Sequence, residues 1–136
     1  MRELSDSART AKEAAAGLGC EVGAIASSLL FVVDDEPLLI MTSGAHRVDE
    51  ALIMSLLGAS SFRRATPDEV RSWTGFAIGG VAPIGHPAPL RTLVDEDLEQ
   101  YAVLWAAAGH SHVVFPMTYE QLLQMTGGTE VRVTLA

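Results

Sequence analysis

The sequence predicts an α/β (mixed) fold, a mixed sheet or barrel dressed with helices. Two sets of observations lead there. Three segments carry the Thr-x-x-Glu/Gln capping signature of a helix start, Thr10 with Glu13, Thr66 with Glu69 and Thr118 with Gln121. Between them lie short apolar runs of strand character, "SLLFVV", "LLIMT", "SSFRRA", "FAIGG", "RTLV", "AVLWAA", "HVVF" and "EVRVTL". Because helices and strands do not alternate one for one, a doubly wound parallel sheet is disfavoured against a mixed sheet or barrel dressed with helices.

The individual elements follow from their boundaries. The first helix begins at Thr10 and meets stops at Gly17 and Gly19, the Thr66 helix has Pro67 in its first turn, and the last stops at Gly127 and Gly128. A further helix reads from Val48 to Leu57 and ends at Gly58, and a short fifth occupies Glu96 to Tyr101. "SLLFVV" and "LLIMT" flank the turn "DDEP" and read as a hairpin. With 136 residues, 49% hydrophobic and 19% charged, the chain fits one domain, 1–136, with its own core.

Composition also excludes functions. The longest nearly apolar run, "AIASSLLFVV", is far below the roughly 20 residues that cross a bilayer, and the polar start "MRELSDSART" has no apolar signal region. A single cysteine, Cys20, permits no internal disulfide and no multi-cysteine metal site, which suits a reducing cytoplasm. The net charge of −8, from 17 acids against 9 bases, rules out bulk electrostatic grip on nucleic acid, so contact with such a partner must be local. Lys12 is the sole lysine.

Several residues invite a chemical reading, each beside a plainer one. "TGFAIGGVAPIGHPAP" combines glycines with stiffening prolines, either as a tight turn or as a rigid rim whose amides meet a carbonyl or carboxylate. It is neither a P-loop nor a GxGxxG turn. "TSGAHRVD" leads into a helix, and its small residues can line a pocket, or Ser43 or Asp49 can simply cap that helix. His110 and His112 have zinc-ligand spacing without a recognisable third ligand. His46 and His86 are loop histidines able to carry protons, with no partner visible in the sequence. Cys20 reads as a small buried hydrophobe, Asp34 and Asp35 as solvated turn acids, and Arg63, Arg64 and Arg71 as either a phosphate-contacting patch or an exposed strand end. No nucleophile elbow is present, and nothing calls for a cofactor or metal.

"RTAKEAAAGLGCEVGAIASSLLF", "LIMTSGAHRVD", "TGFAIGGVAPIGH" and "LLQMTGG" together, in order from about Ser7 to the C-terminus, resemble the YbaK/prolyl-tRNA synthetase-associated domain family. The resemblance implies the barrel-like sheet with helices and a cytoplasmic enzyme, a free-standing deacylase that hydrolyses the ester of mischarged aminoacyl-tRNA. Proline tRNA carrying cysteine or alanine is the implied substrate, the tRNA acceptor end the partner, with prolyl-tRNA synthetase a second one. The implied substrate-binding residues are Ser27, Ser43, Gly44, Thr74, Gly75, Gly79, Gly80, Pro83, Gly85, Gly109 and His110. Backbone donors and a hydroxyl of the tRNA would orient attack without a protein nucleophile.

Two departures qualify this. Relatives commonly carry lysine where Ser27 stands, and Lys12 on the first helix is no substitute, so either substrate recognition is rebuilt or activity is weak or absent. The alternative function is then a non-catalytic binder of an amino acid or aminoacyl-adenylate-like ligand. Only nine residues precede Thr10, so the N-terminal strand and helix of relatives are short or missing, an edge that a homodimer partner can cover.

Overall fold

The structure, a computed structural model, describes residues 2–3, 11–77, 81–83, 85–86, 90–110 and 113–134. Its elements are β1 (Arg2–Glu3), α1 (Ala11–Leu18), a first 3-10 turn (Val22–Ala24), β2 (Ile25–Val33), β3 (Glu36–Ser43), α2 (Glu50–Leu57) and β4 (Phe62–Arg64). They continue with α3 (Pro67–Thr74), β5 (Arg91–Asp95), a second 3-10 turn (Glu96–Gln100), β6 (Leu104–His110), β7 (Val113–Met117), α4 (Tyr119–Thr126) and β8 (Thr129–Val131). The strands form one sheet in the order β1-β7-β6-β2-β3-β5-β8, with β4 paired to β2 outside that row. Antiparallel β2–β3 and β6–β7 combine with parallel β2–β6, β3–β5 and β5–β8, so the sheet is mixed as its sequence implies.

Local chemistry explains the boundaries. Thr66 and Thr118 each accept a bond from the backbone of Glu69 and Gln121, whose side chains return to the threonine N–H. The Thr10 signature lies outside the described residues. Asp49 caps α2, and Gly58, Gly75 and Gly127 end α2, α3 and α4 in the left-handed region. In the β2–β3 turn it is Asp34 and Asp35 that take positive φ, 49° and 68°. Aspartate tolerates that conformation, and Asp34 Oδ1 accepts bonds from the backbone of Ser60 and Ser61, both at 2.9 Å.

Several boundaries differ from the sequence reading, among them the start of α2 at Glu50 rather than Val48. Glu36 and Pro37 already belong to β3 rather than to the turn. The fifth helix is a 3-10 turn, begun where Asp95 caps the amide of Asp97. "EVRVTL" contributes to β8 only as far as Val131, because the chain then leaves β5 and the Val133 carbonyl takes the amide of Asp49 ahead of α2, at 2.7 Å. Of "FAIGG", residues 76–77 form no strand and the rest lies outside the described residues.

The hairpin β2–β3 is the spine, since its two faces feed every cluster of the core. Leu30, Val32, Leu39 and Met41 join Val94, Leu104, Met117 and Leu122 in the main core. The opposite face carries two separate clusters. Ile25 packs with Ala14 and Ala15 of α1, whereas Phe31, Leu38, Ile40 and Leu93 pack with Ile53 of α2. Each fully buried large side chain contributes about 1.5–3 kcal/mol, so both helices are held on the sheet by a few such contacts.

Two outcomes are expected. A Cβ at Gly44 would stand 2.5 Å from the Val22 carbonyl oxygen and 2.8 Å from Ala11 Cβ. Backbone cannot yield as a side chain can, so Gly44→Ala should lower unfolding free energy by about 1–3 kcal/mol in a urea titration. The Glu69 carboxyl, held by Arg63 at 2.7 and 2.9 Å and by the Thr66 amide, is pushed down from 4.5 to about 2. Its contribution to stability is therefore complete above pH 4.5 and lost as pH falls toward 2. Melting curves of Glu69→Gln should lack that part of the wild-type acid dependence, and an unchanged pH profile would remove the ion pair from the account.

Candidate functional site

A break in the sheet lies beside the candidate residue Ser27. β2 and β6 run parallel, but their ladder pairs only Ile25 with Trp105 and Ala26 with Ala106. Both strands continue, β2 to Val33 and β6 to His110, without further pairing to each other. Beyond the gap, the same edge of β2 is taken up by β4 from Phe31 to Val33. The register of β6 against β7 is also irregular between Ala107 and His110. Ser27 is the first β2 residue past the fork, and Gly109 and His110 end the departing strand.

Ser27 also lies between the two clusters of the helix-bearing face. Alternation places Ile25, Ser27, Leu29 and Phe31 on one side of β2. Ile25 is in the α1 cluster, and Leu29 and Phe31 pack in the α2 cluster. Across the hairpin Ser27 pairs with Thr42, whose hydroxyl is buried. A polar strip thus separates two apolar patches.

The end of the hairpin is fixed by hydrogen bonds. The Ser43 hydroxyl donates to the Gly23 carbonyl at 2.8 Å, and the Gly44 amide to the Ile25 carbonyl at 2.8 Å. The Ser43 amide donates to Asp95 Oδ2 at 3.0 Å. That oxygen also meets His46 Nδ1 at 2.8 Å, and the other ring nitrogen, Nε2, lies 3.2 Å from Asp97 Oδ2. Asp95 is only 1% exposed, whereas Asp97 stands at the surface. His46, Asp95 and Asp97 have ligand atoms within 4.8 Å of one another, spacing a cation could use, but the hydrogen bonds named here already engage them. The imidazole is thereby oriented from both sides.

The expected site residues fall into two groups. Ser27, Ser43 and Gly44 come together at the hairpin end, although Ser43 pairs with Ala26 and so lies on the face opposite to Ser27. Gly109 and His110 close the strand across the fork. Thr74, Gly75, Pro83 and Gly85 form a second group. Thr74 is fully buried, donates to the Val70 carbonyl at 2.6 Å and accepts the Phe76 amide at 3.0 Å, while Gly75 ends α3. Val81 and Pro83 are buried, Val81 in the main core. Gly85 has φ 88° and packs near the Phe76 ring, whose edge meets His86. Gly79 and Gly80 lie outside the described residues.

Other candidates take structural duties. Arg63 is engaged by Glu69, and Arg64 lies over the Phe31 ring at 5.6 Å. His86 Nε2 meets the Ala82 carbonyl at 2.9 Å. Cys20 is half-buried beside the α1 cluster. His112 lies outside the described residues, and no described helix is long and apolar enough to cross a membrane. Sequence reasoning missed Asp95, because an acid at the end of "RTLVDED" looks like any turn acid, and it touched Thr42 only as the first of the small residues of "TSGAHRVD".

Comparison with known proteins bears directly on this arrangement. A crystal structure presented as that of a candidate trans-editing enzyme for prolyl tRNA synthetase superposes with a TM-score of 0.94 at 45% identity, covering 99% of this chain and 85% of that one. A proline–tRNA ligase of Nitratidesulfovibrio vulgaris is 37% identical over 92 residues, 68% of this chain. The match spans only 16% of the ligase's length. YwhH of Bacillus subtilis, an uncharacterised protein, is 28% identical over 127 residues, covering 93% of this chain and 80% of its own length. Residues 5–125, which include the forked strands, the hairpin end and the glycine-proline segment, match the profile of the aminoacyl-tRNA editing domain. With fold, order of elements and profile in agreement over nearly its whole length, the chain belongs to the aminoacyl-tRNA editing domain family.

Proposed function

We propose that the chain is a trans-editing aminoacyl-tRNA deacylase that hydrolyses the ester of mischarged tRNA, with proline tRNA carrying a small wrong amino acid such as cysteine or alanine as its substrate. The observation that carries this reading is the editing-domain profile over residues 5–125, supported by kinship with a domain-sized part of a proline–tRNA ligase. Its partners are the tRNA acceptor end and, through that kinship, prolyl-tRNA synthetase.

The geometry favours chemistry without a protein nucleophile. The Ser43 hydroxyl is given to a backbone carbonyl and His46 Nδ1 to Asp95, so the two form no hydroxyl–imidazole pair. Positioned polar groups and a hydroxyl of the tRNA itself then have to align water with the ester carbonyl. Ser27, Ser43, Gly44, Thr74, Gly75, Gly79, Gly80, Pro83, Gly85, Gly109 and His110 remain the proposed substrate-binding set, of which Ser27, Gly109 and His110 belong to the forked strands. A net charge of −8 is compatible with this because only the acceptor end has to enter.

Ser27 itself favours a second reading, a binder of the same fold that retains an amino acid or aminoacyl-adenylate-like ligand without hydrolysing it. Two measurements separate these. Incubating the protein with proline, alanine and threonine tRNAs bearing cysteine, alanine or serine should release the amino acid from at least one, and no turnover on any would sink the deacylase. In that inert case, activity gained by Ser27→Lys would identify the chain as a binder that lacks its lysine.

A further inference from the structure

Thr42 is 1% exposed, and its hydroxyl has no hydrogen-bond partner among the described residues. A buried hydroxyl left unpaired costs free energy that a valine of nearly the same shape would not. Its nearest polar neighbours do not relieve it. Asp95, which follows Leu93, the β5 partner of Ile40, has both carboxylate oxygens engaged by the Ser43 amide, His46 and the Asp97 amide. Ser27 is directly opposite on β2, on the same face, at the residue where β6 has departed. The arrangement is therefore a pair of hydroxyls, one buried and one half-buried, on the strip between the α1 and α2 clusters.

We propose that Thr42 Oγ1, with Ser27 beside it, receives a hydrogen-bond donor carried by the aminoacyl end of the substrate. This rests on the deacylase reading and adds to it a residue that contacts substrate. Two hydroxyls offer lone pairs and rotatable protons, so they suit an ammonium or a hydroxyl and do nothing for a methyl group. An aminoacyl ester has lost its carboxylate to the tRNA, and its own formal charge is the α-ammonium. A side-chain hydroxyl, as in serine, is the second source of the same chemistry. Supplying either group removes the penalty on Thr42 only when substrate is bound, which favours esters able to supply it.

The full chain tests this with three proteins, wild type, Thr42→Val and Thr42→Ser, on proline tRNA bearing alanine, serine and N-acetylalanine. Thr42→Val should melt at or above the wild-type temperature yet lose about ten- to hundredfold in kcat/KM, with Thr42→Ser retaining most of the rate. Loss on alanyl and seryl esters alike, with the acetylated ester insensitive, assigns the donor to the ammonium. Loss on the seryl ester alone assigns it to the side-chain hydroxyl. Wild-type rates for Thr42→Val on every ester overturn the proposal, as does a loss that comes with a lowered melting temperature and is not rescued by Thr42→Ser. If the wild type hydrolyses nothing, the deacylase reading fails instead. The contact is then read by thermal shift with amide-linked alanyl- and seryl-adenosine, which cannot hydrolyse. Stabilisation of wild type and Thr42→Ser but not of Thr42→Val supports it, and equal or absent stabilisation of all three overturns it.

Discussion

Asp95 is the group on which the open end of the β2–β3 hairpin depends. A carboxylate at 1% exposure is costly unless its oxygens are met, and here the donors come from three separate places. The Ser43 amide belongs to the end of β3, the His46 ring to the loop that follows, and the Asp97 amide to the 3-10 turn after β5. Since Ser43 and Gly44 in turn bond to Gly23 and Ile25, the same carboxylate is linked to the start of β2. Three stretches distant in sequence, 23–25, 43–46 and 95–97, thereby share one anchor, and the hairpin end has little freedom to drift.

That anchoring gives meaning to the fork beside it. Where β2 and β6 part, the backbone loses a neighbour while Ser27 and Thr42 keep their places in the β2–β3 ladder. A sheet opened at a floppy margin would collapse or exchange registers, but this one opens beside strands bonded along eight pairs. Apolar clusters under α1 and α2 flank the opening without merging across it. The result is a fixed polar strip between two greasy shoulders, suited to a ligand with a small polar head.

How much of this was legible follows from the range of the interactions. The capping boxes at Thr66 and Thr118, the stops at Gly58 and Gly127 and the hairpin are local, each decided within about five residues, and they stand where the sequence placed them, whereas α1 runs through Gly17 to Leu18. The family resemblance supplied the mixed sheet with its helices. Asp95 with His46 was invisible, because the two are 49 residues apart and neither lies in a periodic pattern. The fork at Ser27 was equally hidden. It depends on where a parallel partner stops pairing, and the residues "IASSLL" read the same in a strand paired throughout. The bonds by which the Thr74 hydroxyl holds the end of α3 were likewise not readable, since they depend on where the helix stops.

The margins of the sheet carry a consequence for the protein at high concentration. Among the described residues its outermost strands, β1 and β8, are two and three residues long, and β4, beside β2, is three. A stray chain adding itself by backbone pairing needs a longer template than that, so these edges are poor seeds for aggregation. The long, apolar strands β2 and β3 sit in the interior of the row instead, where each has neighbours on both sides over part of its length.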